Sequence, residues 1–393
     1  MTRPLLNRRL QGLGTSIFAE MSARAVATGA VNLGQGFPDV DGPAAIAEAA
    51  AAAIRTGHGN QYPPGPGIPE LRKAVADHQR RFYGLRYDPD TEVLITAGAT
   101  EAIAAAMLAL LEPGDEVIAF EPYYDSYAAN IAMAGAARVP LTLRPPHFRP
   151  DLAELEKLIT ARTRLMLVNS PHNPTGMVLT RQETEAIADI AKRHDLLIVT
   201  DEVYEHLTYD REHIPFATVG GMRERTVSVS SAGKAFSFTG WKVGWVTGTP
   251  EIVTAVRTTK QFLTFVASGP FQYAVAEALR LPDEYFQTLA SELKHKRDLM
   301  ASGLKNIGFD VYPPDGTYFI TTDITPLGER DAVEFCLRLP DRAGVVAIPN
   351  AVFYDDKEAG RTQVRFAFCK REEILEEALS RLGVLATGTE GAR

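Results

Sequence analysis

Cysteine is scarce in this 393-residue sequence, which contains only Cys336 and Cys369. The two residues form no CxxC pair, and no histidines accompany them at metal-ligand spacing, so we expect neither a disulfide framework nor a metal site. Isolated cysteines are typical of buried, inert thiols, and unpaired thiols fit the reducing cytosol. The sequence therefore predicts a cytoplasmic protein without bound metal.

Long apolar runs and an excess of positive charge are also missing. The longest apolar run, residues 102–111, is shorter than the roughly 20 residues that cross a bilayer, and the N-terminus lacks a signal-peptide pattern. The formal net charge is −8, so no basic face for nucleic acid is indicated. We expect no membrane and no nucleic-acid partner.

Short β-branched runs alternate with helical patterns through most of the chain. This alternation predicts βαβ crossovers and an α/β fold with a mainly parallel central sheet covered by helices. The predicted strands are 92–96, 116–120, 164–168, 196–200, 226–230 and 243–247. The predicted helices are 44–54, 69–82, 101–111, 124–134 and 181–194.

The pattern changes after residue 282. A charged helix at 284–307, strands at 318–321 and 364–368, and a helix at 372–382 predict a smaller α+β domain. We therefore expect three parts, which are an N-terminal segment (1–43) packing on the small domain, a large domain (44–282) and a small C-terminal domain (283–393).

Polar and glycine residues follow the predicted strands. Taken singly, each has a structural explanation, since an aspartate after a strand often caps a helix and Asn-Pro-Thr-Gly is a good turn. Open α/β sheets, however, bind ligands beyond the carboxyl ends of their strands. Convergence at that edge favours a binding site formed by Gly98, Ala99, Thr100, Tyr124, Asn173, Asp201, Tyr204, Ser231 and Lys234.

One part of this set suits a phosphate. The turn at 98–100 lies between a strand and a helix, so its backbone N–H groups and the helix dipole can hold an anion. Ser231 and Lys242 can add a hydroxyl group and a positive charge to the same anion.

The other part suits an aromatic ring with a reactive carbonyl group. Asp201 can keep a ring nitrogen protonated, Asn173 and Tyr204 can hydrogen-bond a phenolate oxygen, and Tyr124 can stack on the ring. The amine of Lys234 can form a Schiff base once its pKa is lowered by desolvation and nearby cations. Phosphate, protonated ring, phenolate and carbonyl together describe pyridoxal phosphate, an electron sink for α-carbanions.

At this point the sequence resembles the class I aminotransferases of pyridoxal-phosphate fold type I, in the branch with kynurenine, glutamine and methionine aminotransferases. The motifs run in the family's order along nearly the whole chain. They are NLGQGFPD at 32–39, NQYP at 60–63, NPTG at 173–176, DEVY at 201–204, SSAGK at 230–234, TGWKVG at 239–244 and VRFAF at 364–368.

The resemblance implies the role of each residue. Lys234 would bind the cofactor as a Schiff base, with Asp201 and Tyr204 as the other catalytic residues. Tyr62 would reach the phosphate from the second subunit of a homodimer with shared active sites. The substrate would contact Gly36, Phe18, Asn173 and Arg365, the last clamping its α-carboxylate.

The same resemblance leaves the substrate open. Phe18 stands where kynurenine-type relatives often carry tryptophan, Thr100 replaces an aromatic residue, and Ser268 replaces a histidine found in some. The expected reaction is ping-pong transfer from an aromatic, sulfur-containing, glutamine or kynurenine-type donor to a 2-oxo acid. N-succinyldiaminopimelate aminotransfer and C–S β-elimination are the alternatives.

Other motifs are less complete. Ser231 and Lys234 match SxxK of serine β-lactamases, but the companion Ser-Asp-Asn and Lys-Thr-Gly motifs are absent. Gly34-Gln-Gly36 lacks the third glycine of a dinucleotide fingerprint, and Gly233-Lys234 lacks the remainder of a Walker A loop. A regulator with a borrowed aminotransferase-like domain would need a DNA-binding module, for which the 31 residues before Asn32 leave no room.

Overall fold

A computed structural model describes residues 5–11 and 17–389. The α-helices within these residues are α1 (Ile17–Thr28), α2 (Ala44–Thr56), α3 (Pro69–Tyr83), α4 (Gly98–Leu110), α5 (Asp125–Ala134), α6 (Leu152–Leu158), α7 (Arg181–Arg193), α8 (Ala232–Ala235), α9 (Pro250–Lys260), α10 (Gly269–Ala278), α11 (Asp283–Ile307), α12 (Ala332–Ala343) and α13 (Glu372–Leu382). No helix in this part of the chain has the length and apolar character needed to cross a membrane.

The strands of the same residues form three sheets. They are β1 (Val31–Asn32), β2 (Val93–Thr96), β3 (Glu116–Glu121), β4 (Ala137–Thr142), β5 (Thr163–Asn169), β6 (Leu197–Asp201), β7 (Thr226–Ser231), β8 (Gly244–Thr247), β9 (Asp310–Tyr312), β10 (Phe319–Asp323), β11 (Val345–Val346), β12 (Ile348–Pro349) and β13 (Gln363–Ala367).

The largest sheet has seven strands in the order β2-β8-β7-β6-β5-β3-β4. Strands β3 to β7 pair in parallel, whereas β8 runs antiparallel to both of its neighbours. The inner strands are almost entirely buried, as helices on both faces of the sheet require. The predicted α/β fold with a mainly parallel sheet is confirmed.

All six strands predicted for the large sheet are confirmed, each to within one residue at either end. The seventh strand, β4, was missed. It lies at the edge of the sheet, is mostly half-exposed, and contains Pro140, which belongs in a strand only where a ladder hydrogen bond is not needed. Helix α12 was missed for a related reason, because Pro340 lies near its C-terminal end.

The second sheet consists of four antiparallel strands in the order β12-β13-β10-β9. The N-terminal segment joins this region, since β1 pairs in parallel with β11 and Leu33 exchanges backbone hydrogen bonds with Val346 and Ala367. The Leu33 side chain is fully buried in the apolar core that surrounds the second sheet. The domain limits at 43 and 282 remain a prediction.

Replacing Leu33 should show how strongly the N-terminal segment is held. We expect Leu33→Ala to lower the free energy of unfolding by about 2–5 kcal/mol, because the substitution leaves a cavity in a closed core. Urea unfolding followed by circular dichroism measures the loss. Val26→Ala is the matched control, because Val26 is 87% exposed on α1 and its loss should change stability by about 0.5 kcal/mol at most. Equal midpoints for both variants would contradict this account.

Candidate active site

A cavity of about 410 Å³ opens at the carboxyl ends of the central strands, within the usual range for small-molecule sites. Strands β5, β6 and β7 end at this cavity with Asn169, Asp201 and Ser231. The opposite wall comes from the second sheet and the N-terminal segment. The predicted site residues that line the cavity are Phe18, Gly36, Gly98, Ala99, Thr100, Tyr124, Asn173, Asp201, Tyr204, Ser231, Lys234, Lys242 and Arg365.

One end of the cavity is a cradle of backbone N–H groups at the start of α4. Gly98 has φ +77°, and no side chain caps this helix terminus. A β-carbon on Gly98 would lie 3.2 Å from the Lys242 Nζ atom, and one on Gly244 would lie 2.6 Å from the Gly98 carbonyl carbon. Glycine at both positions lets β8 approach the turn closely. Free N–H groups, a helix dipole and the Lys242 ammonium group together suit a phosphate.

Asp201 is buried at the end of β6, deeper in the same cavity. Burial raises the pKa of its carboxyl group, while a hydrogen bond from Tyr127 and one from the Val203 backbone lower it. The Tyr127 Oη atom donates to the Asp201 Oδ2 atom at 2.5 Å. The hydrogen bond favours the carboxylate form, which a protonated ring nitrogen requires as its partner.

Lys234 lies in the short helix α8, directly after β7, and its side chain points into the cavity. Its Nζ atom is 5.7 Å from the ring centre of Tyr204 and 5.8 Å from that of Tyr318. Desolvation lowers the pKa of the Lys234 amine, and the charges of Lys242 and Arg365 lower it further, against an opposing contribution from Asp201. The unprotonated amine is the form that attacks a carbonyl group.

Arg365 is a buried cation in the middle of β13, only 1% exposed. Its Nη1 atom donates to the Asn173 Oδ1 atom at 3.0 Å and its Nη2 atom to the Gly34 carbonyl oxygen at 2.8 Å. The guanidinium carbon lies 4.0 Å from the ring centre of Phe319.

This guanidinium group has no carboxylate partner within ion-pair distance in the described residues, and its Nε atom has no hydrogen-bond partner. Burial lowers the pKa of Arg365 to about 10. A buried cation without a protein counter-ion suits an anionic ligand group such as a carboxylate.

The wall of the cavity that the N-terminal segment contributes is tightly packed around Gly36. A β-carbon at this position would lie 2.4 Å from the Phe319 ring, so no larger residue fits without displacing that ring. The Tyr318 hydroxyl donates to the Gly36 carbonyl oxygen at 2.6 Å and fixes this part of the backbone. Gln35 and Phe319 also line the cavity. Neither was predicted.

Two polar residues that line the cavity, Tyr127 and Asn169, were also not predicted. Tyr127 follows Tyr124 by three positions at the start of α5, a spacing that places both side chains on one helical face. Asn169 accepts a hydrogen bond from the Asn173 backbone at 2.7 Å and donates to the Asp201 carbonyl oxygen at 2.8 Å. The i,i+3 spacing was a signal for Tyr127, but the bridging position of Asn169 depends on the neighbouring strand.

Tyr62 is the predicted cofactor-binding residue that does not line the cavity of its own chain. Its side chain is 81% exposed and packs edge-on against Phe265, with ring centres 5.4 Å apart. Ser268, named as a departure from the family, directly precedes α10 and also lies outside the cavity lining.

Comparison with known proteins identifies the family. The model of aminotransferase class I and II matches residues 28–382. The chain is 51% identical to the probable N-succinyldiaminopimelate aminotransferase DapC of Mycobacterium tuberculosis H37Rv, over 96% of this chain and 98% of that protein. It is 41% identical to methionine aminotransferase of Escherichia coli K12, over 95% and 97% of the two chains. The solved structure of N-succinyldiaminopimelate aminotransferase from M. tuberculosis superposes with a TM-score of 0.95 at 52% identity, covering 97% of this chain and all of that one.

Enzymes of this family depend on pyridoxal phosphate, and the cavity fits that cofactor. The glycine-walled cradle at Gly98 suits its phosphate, the buried Asp201 suits its ring nitrogen, and the amine of Lys234 suits its aldehyde. The match extends over most of the chain, and the site chemistry agrees with it. The chain belongs to the aminotransferase class I and II family and is a pyridoxal-phosphate-dependent aminotransferase.

Proposed function

We propose that the cavity is the catalytic site of a ping-pong aminotransferase, with Lys234, Asp201 and Tyr204 as the catalytic residues. The main support is that a buried amine, Lys234, and a buried guanidinium group without a carboxylate partner, Arg365, line one cavity. The amine suits the reacting carbon of the substrate and the guanidinium group suits its carboxylate.

Two groups of residues would hold the cofactor. Gly98, Ala99 and Thr100 would bind its phosphate through backbone N–H groups, with Ser231 and Lys242 supplying a hydroxyl group and a positive charge. When bound, pyridoxal phosphate supplies the electron sink that stabilises negative charge on the donor's α-carbon.

The second group would hold and polarise the ring. Asp201 would keep the ring nitrogen protonated, Asn173 and Tyr204 would donate hydrogen bonds to the ring oxygen, and Tyr124 would stack on the ring. Burial raises the pKa of Tyr204 above its ordinary value, so its phenol remains a hydrogen-bond donor at neutral pH.

The chain's own residues would then position the donor and move its proton. Arg365 would bind the α-carboxylate and thereby orient the α-carbon toward Lys234. The Lys234 amine would accept the α-proton and return it on the cofactor side, because its lowered pKa favours the unprotonated form that accepts a proton. A 2-oxo acid would then bind at Arg365 in the second half-reaction.

The geometry favours a donor with one carboxylate and an apolar side chain. Phe18 and Phe319 form the wall beside Arg365, which is the only arginine among the described residues that line the cavity. Similarity to the methionine aminotransferase of E. coli supports a sulfur-containing donor. N-succinyldiaminopimelate is the second candidate, supported by 51% identity to the probable M. tuberculosis enzyme.

We also propose a homodimer with shared active sites in the cytoplasm. Tyr62 projects from the surface against Phe265, and Phe262 and Leu263 of the same segment are also exposed. Exposed apolar clusters often mark protein interfaces. In a dimer this Tyr62 would reach the phosphate of the second subunit. Two free, buried thiols support a reducing compartment.

Removing the amine tests the central assignment. Lys234→Ala should lower turnover by a factor on the order of 10³ or more, because both the cofactor-binding amine and the proton carrier are lost. Steady-state kinetics measures the loss, and the bound cofactor is quantified after gel filtration. Lys294→Ala, on the exposed face of α11, is the matched control and should keep full activity. A fully active Lys234→Ala enzyme would refute the assignment.

A panel of donors separates the two substrate classes. With 2-oxoglutarate as acceptor, we expect kcat/KM for methionine or an aromatic amino acid to exceed that for N-succinyldiaminopimelate, because one guanidinium group serves one carboxylate. Arg365→Lys should weaken every donor alike, since the planar fork is lost while the charge remains. A higher kcat/KM with N-succinyldiaminopimelate would establish the second candidate instead.

Tyr127→Phe tests how Asp201 is kept ionised. The tyrosine hydrogen bond lowers the pKa of Asp201, so its loss should raise that pKa and move the acidic limb of the kcat profile to higher pH. Turnover at neutral pH should fall roughly 2- to 10-fold, as expected for one hydrogen bond of about 0.5–1.5 kcal/mol. Tyr123→Phe removes a similar bond, to Asp355, outside the cavity. An identical pH profile for all three enzymes would show that Tyr127 does not act on Asp201.

A further inference from the structure

A second cluster of ionisable side chains lies between α3 and the turn that follows β6. It consists of His78, Glu205 and His206, whose ligand atoms all lie within 4.8 Å of one another. None of the three lines the active-site cavity, although Glu205 directly follows Tyr204, which does. The proposed mechanism therefore leaves this cluster without a role.

We propose that the His78–Glu205–His206 cluster binds a divalent transition-metal ion of the zinc class. Two imidazoles and one carboxylate form a ligand set that zinc uses in proteins, usually with a water molecule as fourth ligand. This outcome would correct the expectation of no metal site, which rested on the cysteines, whereas His78 is far from the other two residues along the chain.

Glu205 supplies a carboxylate oxygen that is buried without a hydrogen-bond partner. The Glu205 Oε1 atom accepts a hydrogen bond from the Ser230 hydroxyl at 2.6 Å, whereas the Oε2 atom is buried without a hydrogen-bond partner. Tyr83 lies near this carboxylate, but no hydrogen bond of normal geometry joins it to Oε2. A buried carboxylate with an unpartnered oxygen, within 4.8 Å of two imidazole nitrogens, is placed to bind a cation. Ser230 would orient the carboxylate as a metal ligand's outer partner commonly does.

The histidine geometry requires only a small adjustment. The two Nε2 atoms are 2.7 Å apart, which is a hydrogen-bond distance. Tetrahedral zinc with Zn–N bonds of about 2.0–2.1 Å would separate them to roughly 3.3 Å. His206 is the partly exposed member of the cluster, so the adjustment and a fourth water ligand would come from its side.

The rings of Phe82 and Phe286 enclose the histidine pair. Their centres lie 4.7 Å and 4.2 Å from that of His206. An apolar surrounding strengthens the attraction between a cation and its ligands. A bound ion would connect α3 to the segment that carries Asp201 and Tyr204, so its expected effect is stabilisation of the folded enzyme.

Zinc binding to the holoenzyme tests this proposal without relying on turnover. After dialysis against a chelator, titration calorimetry with zinc chloride should show one high-affinity site per chain. Co²⁺ should produce visible ligand-field bands, and zinc should raise the melting temperature of the wild-type enzyme.

Single-residue variants locate the ion. His206→Gln and Glu205→Gln should each weaken zinc binding on the order of 100-fold and abolish the thermal shift, given that even outer-partner changes cost 10–100-fold. His295→Gln, an exposed histidine on α11, is the matched control and should bind zinc like the wild type. Circular dichroism and cofactor content establish that each variant is folded. One folded cluster variant is enough to locate the ion.

Two results would overturn the proposal. One is the absence of stoichiometric zinc binding by the wild type, which would make the cluster a hydrogen-bonded network only. The other is unchanged zinc affinity in a folded cluster variant. Neither result would affect the proposed aminotransfer, which is tested by turnover and by Lys234.

Discussion

The direction of the central strands is the constraint on which the site depends. Because β5, β6 and β7 run in parallel, Asn169, Asp201 and Ser231 all end at one edge of the sheet. Burial there removes water, so charges that would be screened at the surface act strongly on one another. The lowered pKa values of Lys234 and Arg365 both follow mainly from that burial.

Residues of the second sheet complete the cavity at the edge of the first. Arg365 comes from β13, yet it donates a hydrogen bond to Asn173, which follows β5 of the large sheet. Phe319, from β10, lies over the same guanidinium group. The Arg365 side chain is therefore held by residues of both sheets, and it lines the same cavity as the backbone cradle at Gly98.

The sequence was most informative where a local residue pattern is typical of one kind of structural element. Buried β-branched runs identified the central strands, and the polar residues after them identified the cavity wall. It was least informative where a position depends on tertiary neighbours. The edge strand with Pro140 was missed, and the hydrogen bond from Tyr127 to Asp201 joins residues that are far apart along the chain. The environment of Tyr62 depends on a second subunit in the proposed dimer. The meeting of His78 with Glu205 could not be read from residues 127 positions apart.

The close approach of β8 to the start of α4 limits how this enzyme can change. Gly244 lies against the Gly98–Ala99 backbone, and any side chain there would have to displace main-chain atoms. Evolution, or a laboratory library, therefore has little freedom to change residues at this end of the cavity. New substrate preferences should arise at the opposite wall, where Phe18 and Gln35 contact the cavity through side chains that can be exchanged.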